Sequence, residues 1–200
     1  VLEVLCLRDV QATAGSVECV ARLVASCPSL TALQLKSNLI DRDGAAALGA
    51  ALRLSRVSVL SLQSTAMDAE TCATLCQFLG TAVPHLTSLD VSHNPIGDDG
   101  AAALCQVLAS DTNKITFVSL QTADITTRTL HRFADALRTS TSISVLDFSF
   151  NRFVDAGSAI ARIIQATITQ PHVRAAAHTG AKCIAAAGHN VGKSLYEAEL

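Results

Sequence analysis

The sequence predicts an α/β solenoid in which every repeat contributes one strand and one helix. The first observation is a hydrophobic motif, apolar-x-x-apolar-x-apolar, that occurs six times and starts at Leu2, Leu30, Val57, Leu86, Ile115 and Ile143. The steps between these starts are 28, 27, 29, 29 and 28 residues, a regularity typical of solenoids. The second observation is that a polar turn and then apolar residues at helical spacing follow each motif. We number the repeats 1 to 6 from these starts.

The strands are predicted from the alternation within each motif, which places one face on a core. In LTALQL, Leu33 and Leu35 are expected to point inward, whereas Gln34 and Lys36 are expected to point outward. The same parity predicts an inward pair in every other repeat, namely Leu5/Leu7, Leu60/Leu62, Leu89/Val91, Val118/Leu120 and Leu146/Phe148.

The helices are predicted from segments such as GAAALGAAL, in which Leu48, Ala51 and Leu52 share one face. Alanine occupies nearly every other position, which leaves a smooth and weakly charged outer side. Because small side chains let another backbone approach closely, we expect the chain to be a subunit of a larger complex.

The turns divide the repeats into two alternating kinds. Repeats 2, 4 and 6 place asparagine in the turn, whereas repeats 1, 3 and 5 have Val10, Thr65 and Ala123 there. An asparagine amide carries donors and an acceptor, so it can bind the backbone of its own turn and of the neighbouring coil. The sequence therefore predicts that the structural unit is a pair of repeats, with turn amides at Asn38, Asn94 and Asn151.

These residues resemble the leucine-rich repeats of the long, ribonuclease-inhibitor-like type. The family pattern, L-x-x-L-x-L-x-x-N-x-L followed by glycine and a helix, is present as LTALQLKSNLIDRDG, LTSLDVSHNPIGDDG and ISVLDFSFNRFVDAG. The resemblance implies a horseshoe with a parallel β-sheet on the concave side and α-helices on the convex side. It implies six repeats of about 28 residues over 1–168. We expect 169–200 to be an irregular linker plus a degenerate closing repeat, or the start of a following domain.

The last segment has two interpretations. In the first, a short strand near Cys183 to Ala187 and a helix from Lys193 form the degenerate closing repeat. In the second, Ala187 to Ser194 matches the relaxed phosphate-binding loop pattern A/G-x-x-x-x-G-K-S/T. Gly192, Lys193 and Ser194 would then hold a nucleotide phosphate and magnesium. Repeats that precede a GTP-binding domain would resemble the Roco family.

Composition favours a compact, non-catalytic chain. The formal net charge is −2 and 16% of the residues are charged, which predicts no general attraction to nucleic acid or to an anionic membrane surface. The seven cysteines follow no disulfide framework, so we expect free thiols and a cytoplasmic location. The six histidines are scattered and serve no evident nucleophile or metal. We therefore expect no enzyme activity, no cofactor and no metal site.

The outward strand positions form columns on the predicted concave sheet. One column contains Gln34, Asp90 and Asp147, and the next begins with Arg8 and Lys36, so a mild charge gradient is expected along the sheet. We predict a protein partner on this surface, with contacts drawn from Arg8, Gln34, Lys36, Gln63, Asp90, His93, Phe117, Gln121, Asp147 and Phe150.

Phe150 is the first choice for an interface anchor, because exposed aromatics are frequent hot spots. Phe117 and Phe150 have an alternative role as covers for the ends of the sheet, and His93 has one as a solvated turn residue. The predicted function is thus a non-catalytic interaction or scaffold module within a larger protein or assembly. An alternative, implied by family resemblance, is a Ran-type GTPase-activating protein.

Overall fold

The computed structural model describes residues 1–81, 83–169, 174–179 and 182–185. Strands and helices alternate strictly through the six repeats. Their bounds are β1 Val4–Cys6, α1 Ala14–Ser26, β2 Ala32–Gln34, α2 Arg42–Leu52, β3 Val59–Ser61, α3 Ala69–Leu79, β4 Ser88–Asp90, α4 Gly97–Leu108, β5 Phe117–Ser119, α5 Thr127–Thr139, β6 Val145–Asp147 and α6 Gly157–Thr169. Two further strands follow, β7 Arg174–Thr179 and β8 Lys182–Ala185.

The sheet runs in sequence order from β1 to β8, and every pair from β1 to β7 is parallel. Equivalent residues of successive repeats lie side by side, as in the row Leu33, Leu60 and Leu89. The helices pack against one another behind the strands. This arrangement confirms the predicted α/β solenoid.

The core confirms the predicted parity of the strands. Leu33 and Leu35 are buried, and so are the inward pairs of repeats 3 to 6. In β1, which pairs on one side only, Leu5 and Leu7 are half-buried against the same core. A single hydrophobic core therefore runs along the repeats between the sheet and the helices.

The turn asparagines connect each even repeat to the preceding odd repeat through hydrogen bonds. Asn94 Oδ1 accepts hydrogen bonds from the backbone N–H of Thr65 and Met67, at 2.8 and 3.1 Å. Its Nδ2 donates to the carbonyl oxygens of Leu62 and Val91, at 2.7 and 3.0 Å. Asn38 and Asn151 make the corresponding bonds to repeats 1 and 5. The predicted pairing of repeats is therefore present in the hydrogen bonds.

The even repeats also reach the odd repeats that follow them. At Gly49 of α2, an added Cβ would lie 2.7 Å from Cβ of Phe78 in α3, so only glycine fits this helix contact. At the next such boundary, Asp98 of α4 accepts hydrogen bonds from the N–H and hydroxyl of Thr126, at 2.8 and 2.6 Å, and from the hydroxyl of Thr129. Each of these two boundaries between pairs of repeats therefore has its own stabilising contact.

The parallel ladder continues beyond residue 168. Arg174 pairs with Val145 at a spacing of 29 residues, the same step that separates Ser88 from Phe117. Strand β7 begins after Pro171, in a part of the sequence that lacks the hydrophobic motif. Strand β8 then pairs with β7 in the antiparallel direction. The division of the chain at 168 stays a prediction. The phosphate-binding loop predicted at Gly192, Lys193 and Ser194 lies outside the described residues.

Candidate protein-interaction surface

The face of the sheet that points away from the helices carries three columns of side chains. We call it the sheet face. The register brings the first of the two predicted columns together as the middle column of this face, with Gln34 beside Ser61 and Asp90 beside Ser119. Asp147 follows on β6. The third column lies two residues further along each repeat. It contains Arg8, Lys36, Gln63 and Gln121.

The first column was missed by the sequence analysis apart from Phe117. It consists of Val4, Ala32, Val59, Ser88, Phe117 and Val145, which occupy the outward position at the start of each strand. Five of its six members are apolar, and Val4 and Val59 are 54% and 38% exposed. The signal was present, because an apolar residue recurs at the third position of the motif in every repeat but one. We call this row the apolar column.

Asp90 and Asp147 are held in one conformation by equivalent hydrogen bonds. In each repeat Oδ1 accepts from the N–H and the hydroxyl of the serine two residues later, Ser92 or Ser149, at 3.0 and 2.6 Å. The second oxygen of Asp90 accepts from Ser61 at 3.3 Å, and that of Asp147 accepts from Gln121 at 2.5 Å. The sequence Asp-x-Ser-x-Asn therefore fixes a carboxylate on the sheet face next to the turn amide.

The donors to these two carboxylates are all neutral. Within the part of the chain that the structure describes, neither Asp90 nor Asp147 has a lysine or arginine partner. At the other end of the face, the guanidinium of Arg8 donates to Oε1 of Gln34 at 2.8 and 3.2 Å, and Lys36 lies in the turn that follows β2. The residues of the predicted gradient thus lie on one surface, with positive charge near β1 and β2 and negative charge near β4 and β6.

His93 and Phe150 lie on the rim and not on the sheet face itself. Each directly precedes a turn asparagine and has a left-handed backbone, with φ of 55° and 60°. Asparagine, aspartate and glycine suit this conformation, whereas a bulky residue in it is strained. Phe150 is 66% exposed, so neither its backbone nor its burial explains a phenylalanine there. The equivalent residues Asp9, Ser37, Ser64 and Thr122 have the same left-handed backbone, so the turn imposes it in every repeat.

Among the described residues, no three His, Cys, Asp or Glu side chains converge where they would hold a metal ion. A hydrogen bond with Cys72, together with burial, raises the pKa of Cys76, and burial raises the pKa of Cys105 to about 12. These thiols therefore stay protonated and act as small core residues.

None of the helices in the described ranges combines the length and the apolar character that crossing a bilayer requires.

Comparison with known proteins agrees with this geometry. The family model described as Leucine Rich repeat matches residues 26–49 and 84–105. These segments contain the strand, the turn and most of the helix of repeats 2 and 4, two of the repeats that carry a turn asparagine. The chain is thus a leucine-rich repeat protein. Its long repeats and its relatives place it in the ribonuclease-inhibitor-like type.

Two of these relatives are ribonuclease inhibitors. The protein from Sus scrofa is 28% identical over 172 residues, which cover 85% of this chain and 37% of the relative. The protein from Mus musculus is 32% identical over 158 residues, which cover 78% of this chain and 34% of the relative. A human protein, NACHT, LRR and PYD domains-containing protein 5, is 28% identical over 161 residues, or 79% of this chain and 13% of its own length. The chain therefore spans well under half of each relative.

Proposed function

We propose that this chain is a non-catalytic protein-interaction module and that the sheet face is its binding surface. The observation that carries the proposal is the apolar column lying beside two fixed carboxylates. Exposed apolar side chains supply contact area, and preset polar groups supply orientation. Phe117, the fifth of the six residues of this column, and Phe150 on the rim are the proposed anchors.

The relatives support a protein as the partner. Two of them are named as inhibitors of a ribonuclease, which is itself a protein. The repeats shared with them are the part of the molecule that offers a regular, rigid surface. We also propose that the chain works within a longer protein or assembly, which is consistent with the small share of each relative that it spans.

A cytoplasmic location is proposed on the state of the cysteines. Cys6, Cys19, Cys27, Cys72, Cys76 and Cys105 are all free thiols. Proteins of oxidising compartments usually pair such residues in disulfides, so six unpaired thiols favour a reducing compartment.

The test is affinity capture from the source cell with matched variants. The double variant Phe117→Ala and Phe150→Ala removes the proposed anchors without touching the core. Leu54→Ala removes an apolar side chain that is 77% exposed and lies beyond the end of α2, away from the sheet face. We expect the wild-type chain and Leu54→Ala to retain the same proteins, and the double variant to lose them. Retention of the same proteins by the double variant would contradict the proposal.

A further inference from the structure

The sheet face over β4 to β6 places two negative charges at a fixed separation. The register sets Asp90, Ser119 and Asp147 side by side on consecutive parallel strands. Neighbouring strands lie about 4.8 Å apart, so the two aspartates are separated by about 10 Å. Hydrogen bonds from Ser92 and Ser149 hold both side chains in the same orientation.

The apolar column runs parallel to this acidic pair. Phe117 and Val145 precede Ser119 and Asp147 by two residues on the same strands, which is about 6.6 Å along the strand. Both pairs point to the same side of the sheet. A ligand that crosses the strands therefore meets two negative charges along one edge and an apolar row along the other.

The separation of the charges selects a helix over an extended segment. In an α-helix, residues seven apart lie on the same face and are separated by about 10.5 Å. In an extended chain, residues on one face are separated by about 6.6 or 13 Å, and neither value matches. A helix also carries an apolar stripe alongside a charged one, as this surface requires.

We propose that the sheet face over β4 to β6 binds an amphipathic helix of a partner protein that presents lysine or arginine at positions i and i+7. One cation lies over Asp90 and the other over Asp147, and the apolar stripe of the helix packs on Phe117 and Val145. This inference rests on the proposed function and names the kind of partner that the same surface takes.

The probe is a synthetic helical peptide of about 20 residues with two lysines seven positions apart and leucines on the adjoining stripe. Its control is an isomer of the same composition whose lysines are five positions apart and so lie on opposite sides of the helix. Binding to the full chain is measured by fluorescence anisotropy at low and at physiological salt. We expect the first peptide to bind about threefold or more tightly than its isomer, with affinity that falls as salt rises.

Protein variants assign the effect to the two carboxylates. Asn Oδ1 can still accept from the serine, and the hydroxyl of Ser61 or the amide of Gln121 can turn to accept from the new Nδ2, so Asp90→Asn with Asp147→Asn removes the charge with little other change. We expect this pair to weaken the first peptide about tenfold and to abolish the preference between isomers. Asp43→Asn with Asp99→Asn makes the same change of charge on exposed helix starts, and we expect an effect below about twofold. If the double variant does not fold, Asp147→Asn alone should weaken binding about threefold.

Three results would overturn the inference: equal binding of the two isomers, undiminished binding by the Asp90 and Asp147 variants, or no binding of either peptide. The proposed function fails separately, because its test is the loss of captured proteins with the Phe117 and Phe150 variants. Loss of captured proteins without any peptide preference would leave the binding surface in place and remove only the helical, basic partner.

Discussion

The even and odd repeats share one fold but differ in what they contribute. Repeats 2, 4 and 6 supply the turn amides, and repeats 4 and 6 also supply the carboxylates of the sheet face. The odd repeats place Ser61 and Ser119 in that column, and a second left-handed residue follows two positions after the first in their turns, at Gln11, Ala66 and Asp124. The odd turns have Val10, Thr65 or Ala123 in place of asparagine. The backbone N–H of each of these residues therefore donates to the turn asparagine of the following repeat.

This difference links stability to the binding surface. Asn94 donates to the carbonyl of Ser92, and Ser92 donates to Asp90. The amide that completes the odd turn thus also fixes the end of the strand that presents the carboxylate. The same chain of contacts joins Asn151, Ser149 and Asp147. Repeats 4 and 6 therefore complete the turn of the repeat before them and also carry the carboxylates of the sheet face.

Among the variants that test the difference between even and odd repeats, Asn94→Ala should have the largest effect on the free energy of unfolding. The change leaves the backbone N–H groups of Thr65 and Met67 buried without partners, and each such group costs about 1 to 3 kcal/mol. We expect a loss of about 4 kcal/mol in the free energy of unfolding, measured by urea denaturation. Asn113→Ala is the control, because this buried amide accepts from one backbone N–H, that of Ile115. Equal losses from the two variants would contradict the role given to the even repeats.

The forward contact of repeat 2 is tested by Gly49→Ala. The new methyl group would overlap Phe78, and such overpacking costs about 1 to 3 kcal/mol. Combining it with Phe78→Ala should recover part of that loss, which a double-mutant cycle measures. Gly15→Ala, in the first turn of α1 with open space around it, should be neutral or slightly stabilising. A Gly49→Ala variant as stable as Gly15→Ala would show that the close helix contact is not required.

The forward contact of repeat 4 is expected to depend on pH. Burial disfavours the charge of Asp98, but hydrogen bonds from Thr126 and Thr129 outweigh it and lower the pKa of the carboxyl. A lowered pKa stabilises the fold above the usual value of 3.8, and this contribution is lost as the pH falls through the folded-state pKa. We expect Asp98→Ala to cost about 1.5 kcal/mol at pH 7 and less at pH 3, which lies below the usual pKa of 3.8.

Thermal unfolding at the two pH values measures this change, and Asp99→Ala serves as the exposed control on the same helix. A cost of Asp98→Ala that is the same at both pH values would contradict the assignment.

The smallest expected effect comes from the strained turn of repeat 6. Phe150→Gly relieves a left-handed backbone that costs a bulky residue about 1 kcal/mol. We expect a gain in stability of about 0.5 kcal/mol together with weaker capture of the partner. Ser37→Gly, at the equivalent turn of repeat 2, should give a similar gain without loss of capture. A destabilised Phe150→Gly variant would show that the phenylalanine serves the fold.

The period and the parity of the motif made most of the fold predictable. They placed Leu33 and Leu35 in the core, and the alternation of asparagine indicated the pairing of repeats. The left-handed backbone at Phe150 was not predictable, because phenylalanine disfavours this conformation. The turn of the repeat and the hydrogen bonds of Asn151 impose it. The apolar column was overlooked because Val59 and Val145 occupy motif positions where any residue is allowed. Strand β7 was not predicted, because its run of alanines does not show the alternation of large apolar residues that marks the other strands.

The central claim is that the sheet face is the binding surface, and hydrogen exchange of the full chain with its captured partner tests it most directly. Bound partner should slow exchange at the amides that border the sheet face in β4 to β6 and in the turns at His93 and Phe150. The helices α2 to α4 should exchange as they do in the free chain. Protection confined to those helices, with the turns at His93 and Phe150 unchanged, would contradict the claim.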